Sequence, residues 1–131
     1  MSKTILIVDD NSAIRSLLRS LLEQAGFQVC EAENGTSGIE QALQLRPDLI
    51  LLDFDMPGMN GVEAVPILKH HLPEIPIILF TVHTDDIGKH IQRAFNIEKV
   101  ISKSDGMGTL VESINGLLGL SNYNAPSSTG D

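Results

Sequence analysis

Five short apolar runs, each followed by a segment of helical periodicity, constrain this chain more than any other feature. The runs are Thr4-Ile5-Leu6-Ile7-Val8, Phe27-Gln28-Val29-Cys30-Glu31-Ala32, Asp48-Leu49-Ile50-Leu51-Leu52, Ile75-Pro76-Ile77-Ile78-Leu79-Phe80-Thr81 and Glu98-Lys99-Val100-Ile101-Ser102. The first and third read as buried parallel strands, because apolar side chains occupy both faces. The second alternates, as a half-buried strand does. Five strands alternating with five helices imply a parallel sheet covered on both faces. A chain of 131 residues fits one such domain and buries roughly two thirds of its unfolded surface, so it needs no disulfide or structural metal to fold.

The helical segments carry their own punctuation. Asn11 or Ser12 caps the first helix, Ile14, Leu17, Leu18, Leu21, Leu22 and Ala25 form its apolar face, and Gly26 ends it. Asn34-Gly35 marks a turn, and Thr36 or Ser37 caps a second helix with Ile39, Ala42, Leu43 and Leu45 inward and Pro47 as its stop. The third helix lies near 61–71, and Pro66 requires either a kink or a later start. Thr84 caps a fourth helix running to about Phe95, with Asp85 and Asp86 in its first turn. The fifth spans about 106–119, with Leu110, Val111, Ile114, Leu117 and Leu118 inward. From Ser121 there is little to bury, so 1–120 reads as the domain and 121–131 as a flexible tail or the start of a linker.

The chemistry-bearing residues stand at the carboxyl ends of the strands. Asp9 and Asp10 close the first run, Asp53 closes the third, Thr81 ends the fourth and Lys103 follows the fifth. In a doubly wound sheet of order 2-1-3-4-5 the first and third strands are neighbours, so the three carboxylates converge on one crevice where such sheets bind ligands. Three adjacent carboxylates repel, and a hard divalent cation removes the conflict. One carboxylate is then left as a nucleophile beside a metal.

Val8-Asp9-Asp10, the loop Asp53-Phe54-Asp55-Met56-Pro57-Gly58-Met59-Asn60-Gly61, Thr81 and Lys103 together form a specific signature. Over about residues 3–119 the chain closely resembles the receiver domain of two-component response regulators, of the single-domain chemotaxis-protein type. The resemblance implies a flavodoxin-like three-layer α/β/α fold. It implies that Asp53 accepts a phosphoryl group from a histidine kinase or phosphotransfer protein. It implies that Mg²⁺, with Mn²⁺ as the alternative, is held by Asp10 directly, Asp9 largely through water, Asp53, and the Asp55 backbone carbonyl. Thr81 and Lys103 would contact the phosphoryl oxygens, and self-dephosphorylation would accompany transfer, without turnover of an external substrate. A switch would then act on an output protein or attached domain.

The chain also departs from the receiver pattern. Val100 stands where an aromatic residue usually couples the switch, so a smaller or different surface change is expected. Ser104 replaces a frequent proline after the lysine, and its peptide is expected to be trans. Val82 follows Thr81 where a small residue is common, and its branched side chain is expected to hinder phosphodonors and attacking water. Asp55 and His83 occupy positions that tune hydrolysis in this family.

Other function classes fit less well. A haloacid-dehalogenase phosphatase shares Asp53-Phe54-Asp55 but requires Thr or Val where Pro57 stands. A flavin domain requires a phosphate-binding loop where Asp9-Asp10-Asn11 repels phosphate. A pseudo-receiver would lack part of the set that is present here. Seventeen acidic against nine basic residues, a net charge of −8, argue against direct nucleic-acid contact through backbone phosphates. His70 and His71 read as a solvated helix edge, without metal spacing to Cys30 or His90. Cys30, the lone cysteine, reads as a buried inert thiol in a reducing compartment. No apolar run reaches the roughly 20 residues of a membrane span, and Met1-Ser2-Lys3 leads straight into a strand, so the cytoplasm is the expected location. A homodimer, a stand-alone regulator and a receiver joined to an effector all remain compatible with these residues.

Overall fold

The structure, a computed structural model, describes residues 2–82 and 86–120, the side chains of Asp86 and Ile87 excepted. Its elements are β1 (Thr4–Val8), α1 (Ser12–Gln24), β2 (Gln28–Ala32), α2 (Gly35–Leu45), β3 (Leu49–Leu52), α3 (Gly61–His71), β4 (Ile77–Thr81), α4 (Asp86–Phe95), β5 (Lys99–Ser102) and α5 (Met107–Leu117). The strands form one parallel sheet in the order β2-β1-β3-β4-β5. Expectations placed on His83, Thr84, Asp85, the Asp86 side chain and 121–131 lie outside the described residues.

The two-residue period of the strands divides the core into two layers. Leu6, Val8, Ile50, Leu52, Ile77 and Leu79 face α2, α3 and α4 through Ala42, Ala64, Val65, Leu68 and Ile91. Ile5, Ile7, Leu49, Leu51, Ile78, Phe80 and Ile101 face α1 and α5 through Leu18, Leu22, Leu110 and Ile114. Burial of each such Leu, Ile or Val side chain is worth roughly 1.5–3 kcal/mol, and that stabilisation holds the sheet's carboxyl edge in place.

Several local expectations are corrected. Asn34, rather than Thr36 or Ser37, caps α2: its Oδ1 accepts from the Ser37 amide at 2.8 Å. The helix therefore starts at Gly35, whose Cβ, if present, would lie 2.5 Å from the Met59 carbonyl oxygen. Only glycine lets the start of α2 approach the loop after β3 this closely. Leu17, Leu43 and Leu45 are 52%, 43% and 49% exposed, and Ala25 is also exposed. The apolar stripes are narrower than the sequence suggests: α1 buries Leu18 and Leu22, and α2 approaches the sheet through Gly35, Gly38 and Ala42. The α3 helix begins at Gly61 despite Pro66, because Asn60 and Glu63 form a reciprocal capping box that fixes its start. Cys30 is half-buried, since β2 lies at the sheet edge. The described residues contain no cis peptide, in line with the trans bond expected before Ser104.

Candidate functional site

The sheet's hydrogen-bond ladder continues past the strands and fixes the backbone of the site. The Asp9 amide donates to the Ala32 carbonyl at 3.1 Å, Asp53 to Val8 at 2.9 Å and Lys103 to Thr81 at 2.9 Å. Each polar side chain thus projects from a backbone held on the rim by a neighbouring strand. Loop-borne groups would carry greater positional freedom.

Asp9, Asp10, Asp53 and Lys103 meet there, as the strand order requires, and Thr81 ends β4 on the same rim, its carbonyl accepting from the Lys103 amide. Carboxylate oxygens of Asp9, Asp10 and Asp53 all lie within 4.8 Å of one another. Asp9 and Asp53 are buried, at 2% and 6% exposure, while Asp10 is exposed. Thr81 is fully buried. The Lys103 ammonium bridges two of the acids, with Nζ 2.9 Å from Asp9 Oδ2 and 3.3 Å from Asp53 Oδ2. Asp9 Oδ1 accepts from the Asn11 amide at 2.9 Å, and Asp53 Oδ1 from the Asp55 amide at 3.3 Å. Val82 beside Thr81 is 67% exposed.

These contacts leave the charge only partly balanced. Burial and the neighbouring Asp9 carboxylate push the Asp53 carboxyl up to about 6, against the opposing pull of the Lys103 ammonium and the Asp55 amide. Burial alone would lower the Lys103 ammonium, yet its hydrogen bond to Asp9 and the charges of Asp53 and Asp9 leave it above its ordinary value. One ammonium facing three carboxylates is the electrostatic setting that favours a cation. The oxygen-only donor set suits a hard divalent ion, and the open side of Asp10 gives it access.

Two features went unread in the sequence. Arg15 reaches back from α1, its Nη1 donating to the Asp9 carbonyl at 2.6 Å and its Nε to Glu31 at 2.9 Å. The signal was present: Arg15 and Arg19 are four apart on one helix face, and both pair with Glu31 of β2. Their hydrogen bonds, that of Arg19 foremost, hold the Glu31 carboxyl below its ordinary value. The second is the pair Ser102 and Ser104 around the lysine, whose hydroxyl oxygens lie 2.6 Å apart.

The sequence model of the response regulator receiver domain matches residues 5–115. The chain belongs to this family. It is 32% identical to the polar-differentiation response regulator DivK of Brucella anthropi over 124 residues, covering 91% of this chain and 98% of DivK. It is 35% identical to PilH of Pseudomonas aeruginosa over 116 residues, covering 87% and 96% of the two chains. Among solved structures, TrrA of Thermotoga maritima in complex with Mg²⁺-BeF is 30% identical, covers 88% of this chain and 98% of its own, and superposes with a TM-score of 0.80. Receiver membership sets aside the phosphatase and flavin-domain alternatives. This receiver carries an acidic cluster of cation-binding character at the carboxyl edge of its sheet, and none of its described helices is long and apolar enough to cross a membrane.

Proposed function

We propose that this receiver takes a phosphoryl group onto Asp53 from the phosphohistidine of a histidine kinase or phosphotransfer protein. The observation that carries the reading is the Lys103 ammonium lying between Asp9 and Asp53 inside the three-carboxylate cluster. Mg²⁺ or Mn²⁺ would be held by Asp9, Asp10 and Asp53, with the Asp55 carbonyl completing the protein donors. When bound, the ion supplies charge compensation for the phosphoryl oxygens.

The residues of the chain divide the remaining work. The donor's phosphorus–nitrogen bond breaks and a phosphorus–oxygen bond forms to an Asp53 carboxylate oxygen. The imidazole leaves with the bonding pair and takes up a proton. Lys103 pairs with the phosphoryl oxygens as their charge arrives, and the Thr81 hydroxyl donates to one of them. Hydrolysis reverses the occupancy: water attacks phosphorus, the Asp53 carboxylate departs and a proton is released. The exposed Val82 side chain narrows the approach for that water. The module regulates through its modified state, acts on a partner or an attached output domain, and turns over no external substrate. Residues 1–120 constitute the receiver and 121–131 its tail or linker. A cytoplasmic setting belongs to the same reading, and the net charge of −8 disfavours direct nucleic-acid contact through backbone phosphates.

Incubation of the chain with Mg²⁺ and acetyl phosphate, followed by intact mass, tests the reading. One phosphoryl adduct is expected, lost on standing and absent in Asp53→Asn. An unmodified wild-type chain, or an adduct retained by Asp53→Asn, overturns it.

A further inference from the structure

The Lys103 side chain is long, and the acids it serves lie just past the ends of two other strands. Its four rotatable bonds carry large rotamer entropy, so an ammonium aimed from an unsupported base would be aimed poorly. The backbone around it is held from both sides. Upstream, Thr81 and Ser102 are paired across β4 and β5, and the Lys103 amide donates to the Thr81 carbonyl at 2.9 Å. Downstream, the chain closes a turn on the Ser102 side chain. The Ser104 amide donates to Ser102 Oγ at 3.1 Å, the two hydroxyl oxygens lie 2.6 Å apart, and the Asp105 amide donates to the Ser102 carbonyl at 3.1 Å. Ser102 is only 7% exposed, whereas Ser104 is exposed. A buried hydroxyl at the last position of a strand, accepting from the residue two ahead, is a side-chain turn of the kind serine forms to replace a backbone turn.

We propose that the Ser102 hydroxyl is a positioning residue for phosphoryl transfer: it closes the turn that fixes the base of Lys103 and so aims the ammonium at Asp9 and Asp53. This rests on the reading of Asp53 as phosphoacceptor, and it assigns that chemistry's geometry to a residue that touches none of the reacting atoms. Ser104 supports the turn through its hydroxyl, but its amide bond to Ser102 does not need that hydroxyl. The order of effect therefore follows: Ser102→Ala removes two hydrogen bonds to the turn, Ser104→Ala only one.

The test is the rate of phosphorylation by acetyl phosphate at saturating Mg²⁺, with Mg²⁺ affinity measured separately. Ser102→Ala is expected to slow the reaction about 2- to 10-fold, the range of an ordinary hydrogen bond expressed as a rate. Ser104→Ala slows it less, Ser102→Thr restores most of the rate, and the Mg²⁺ affinity stays within about 2-fold. The decisive measurement is the double variant. In a Lys103→Ala background, Ser102→Ala should bring no further loss, because the turn then has no ammonium to aim. An equal loss with or without Lys103, or wild-type rates in both Ser102→Ala and Ser104→Ala, overturns the proposal. Because the wild-type chain is measured alongside, failure of Asp53 to accept phosphoryl at all is a separate result and sinks the functional reading instead. Should Ser102→Ala fold poorly, the exposed Ser104→Ala carries the same double-variant comparison.

Discussion

The Asp53 carboxyl shows what the site imposes on a single residue. In the folded chain it titrates near 6, and in an unfolded chain near 3.9. Between those values the folded state binds more protons than the unfolded one, so stability contributed by this group is present below about 4 and is lost as pH rises toward 6. Two outcomes follow for the metal-free protein. Asp53→Asn, which keeps the shape without the charge, should raise the melting temperature at pH 7.5 by a few degrees and should do little at pH 4. Added Mg²⁺ should stabilise wild type more at pH 7.5 than at pH 5, because the ion and the proton compete for the same carboxyl. Thermal scans at the two pH values check both, and a Mg²⁺ shift independent of pH would contradict the assigned charge state.

At the scale of elements, the sequence located every helix and strand but overstated how much of α1 and α2 is buried, whereas the inward face of α5 packs as its periodicity suggests. Periodicity reports which residues share a face, whereas the width of the buried stripe depends on how closely the helix meets the sheet. For α2 that distance is set by glycine: a Cβ on Gly38 would lie 2.8 Å from Val8 Cγ1. Small residues make the contact, and Leu43 and Leu45 are left on its flanks. In α1 the adjacent leucines Leu17 and Leu18 separate cleanly, at 52% and 1% exposure. Leu18→Ala should therefore cost about 2–5 kcal/mol through the cavity it leaves, and Leu17→Ala should stay within about 0.5 kcal/mol. Urea unfolding of the two variants tests the assignment, and similar midpoints would contradict it. The α2 cap is ambiguous in the sequence for a related reason. Asn34, Thr36 and Ser37 can all cap, and the choice fell to the residue whose carbonyl also receives the Gly38 amide at 2.9 Å, a bond that exists only once the first turn has formed.

For the molecule as a whole, the question is how a charge at one end of the sheet alters a surface elsewhere. The half-buried Val100 packs against the core layer that contains Ile91 and Ile97, with no ring to move in or out. A two-state element shifts only as far as its two states differ in their interactions, and Val100 supplies little difference. Amide shift changes on adding Mg²⁺ with beryllium fluoride should accordingly centre on Thr81, Val82 and Ser102 to Asp105 and fall away toward Val100. Large changes along 95–100 comparable to those at the site would show that this valine transmits the switch after all.

By itself the sequence determined the alternation of strand and helix, and with it which residues could stand at strand ends: hydrophobic periodicity and turn chemistry are local properties, written within a few residues. It also placed the five polar residues of the site, because the carboxyl end of a strand is where an apolar run stops. Only the folded chain decided the contacts between residues far apart in sequence. The bridge from Lys103 to Asp9 spans 94 positions, the reach of Arg15 to the Asp9 carbonyl depends on where α1 meets β2, and the raised Asp53 carboxyl depends on burial that no local pattern records. Charge acts through space, so its balance at the site becomes defined once packing has fixed the distances.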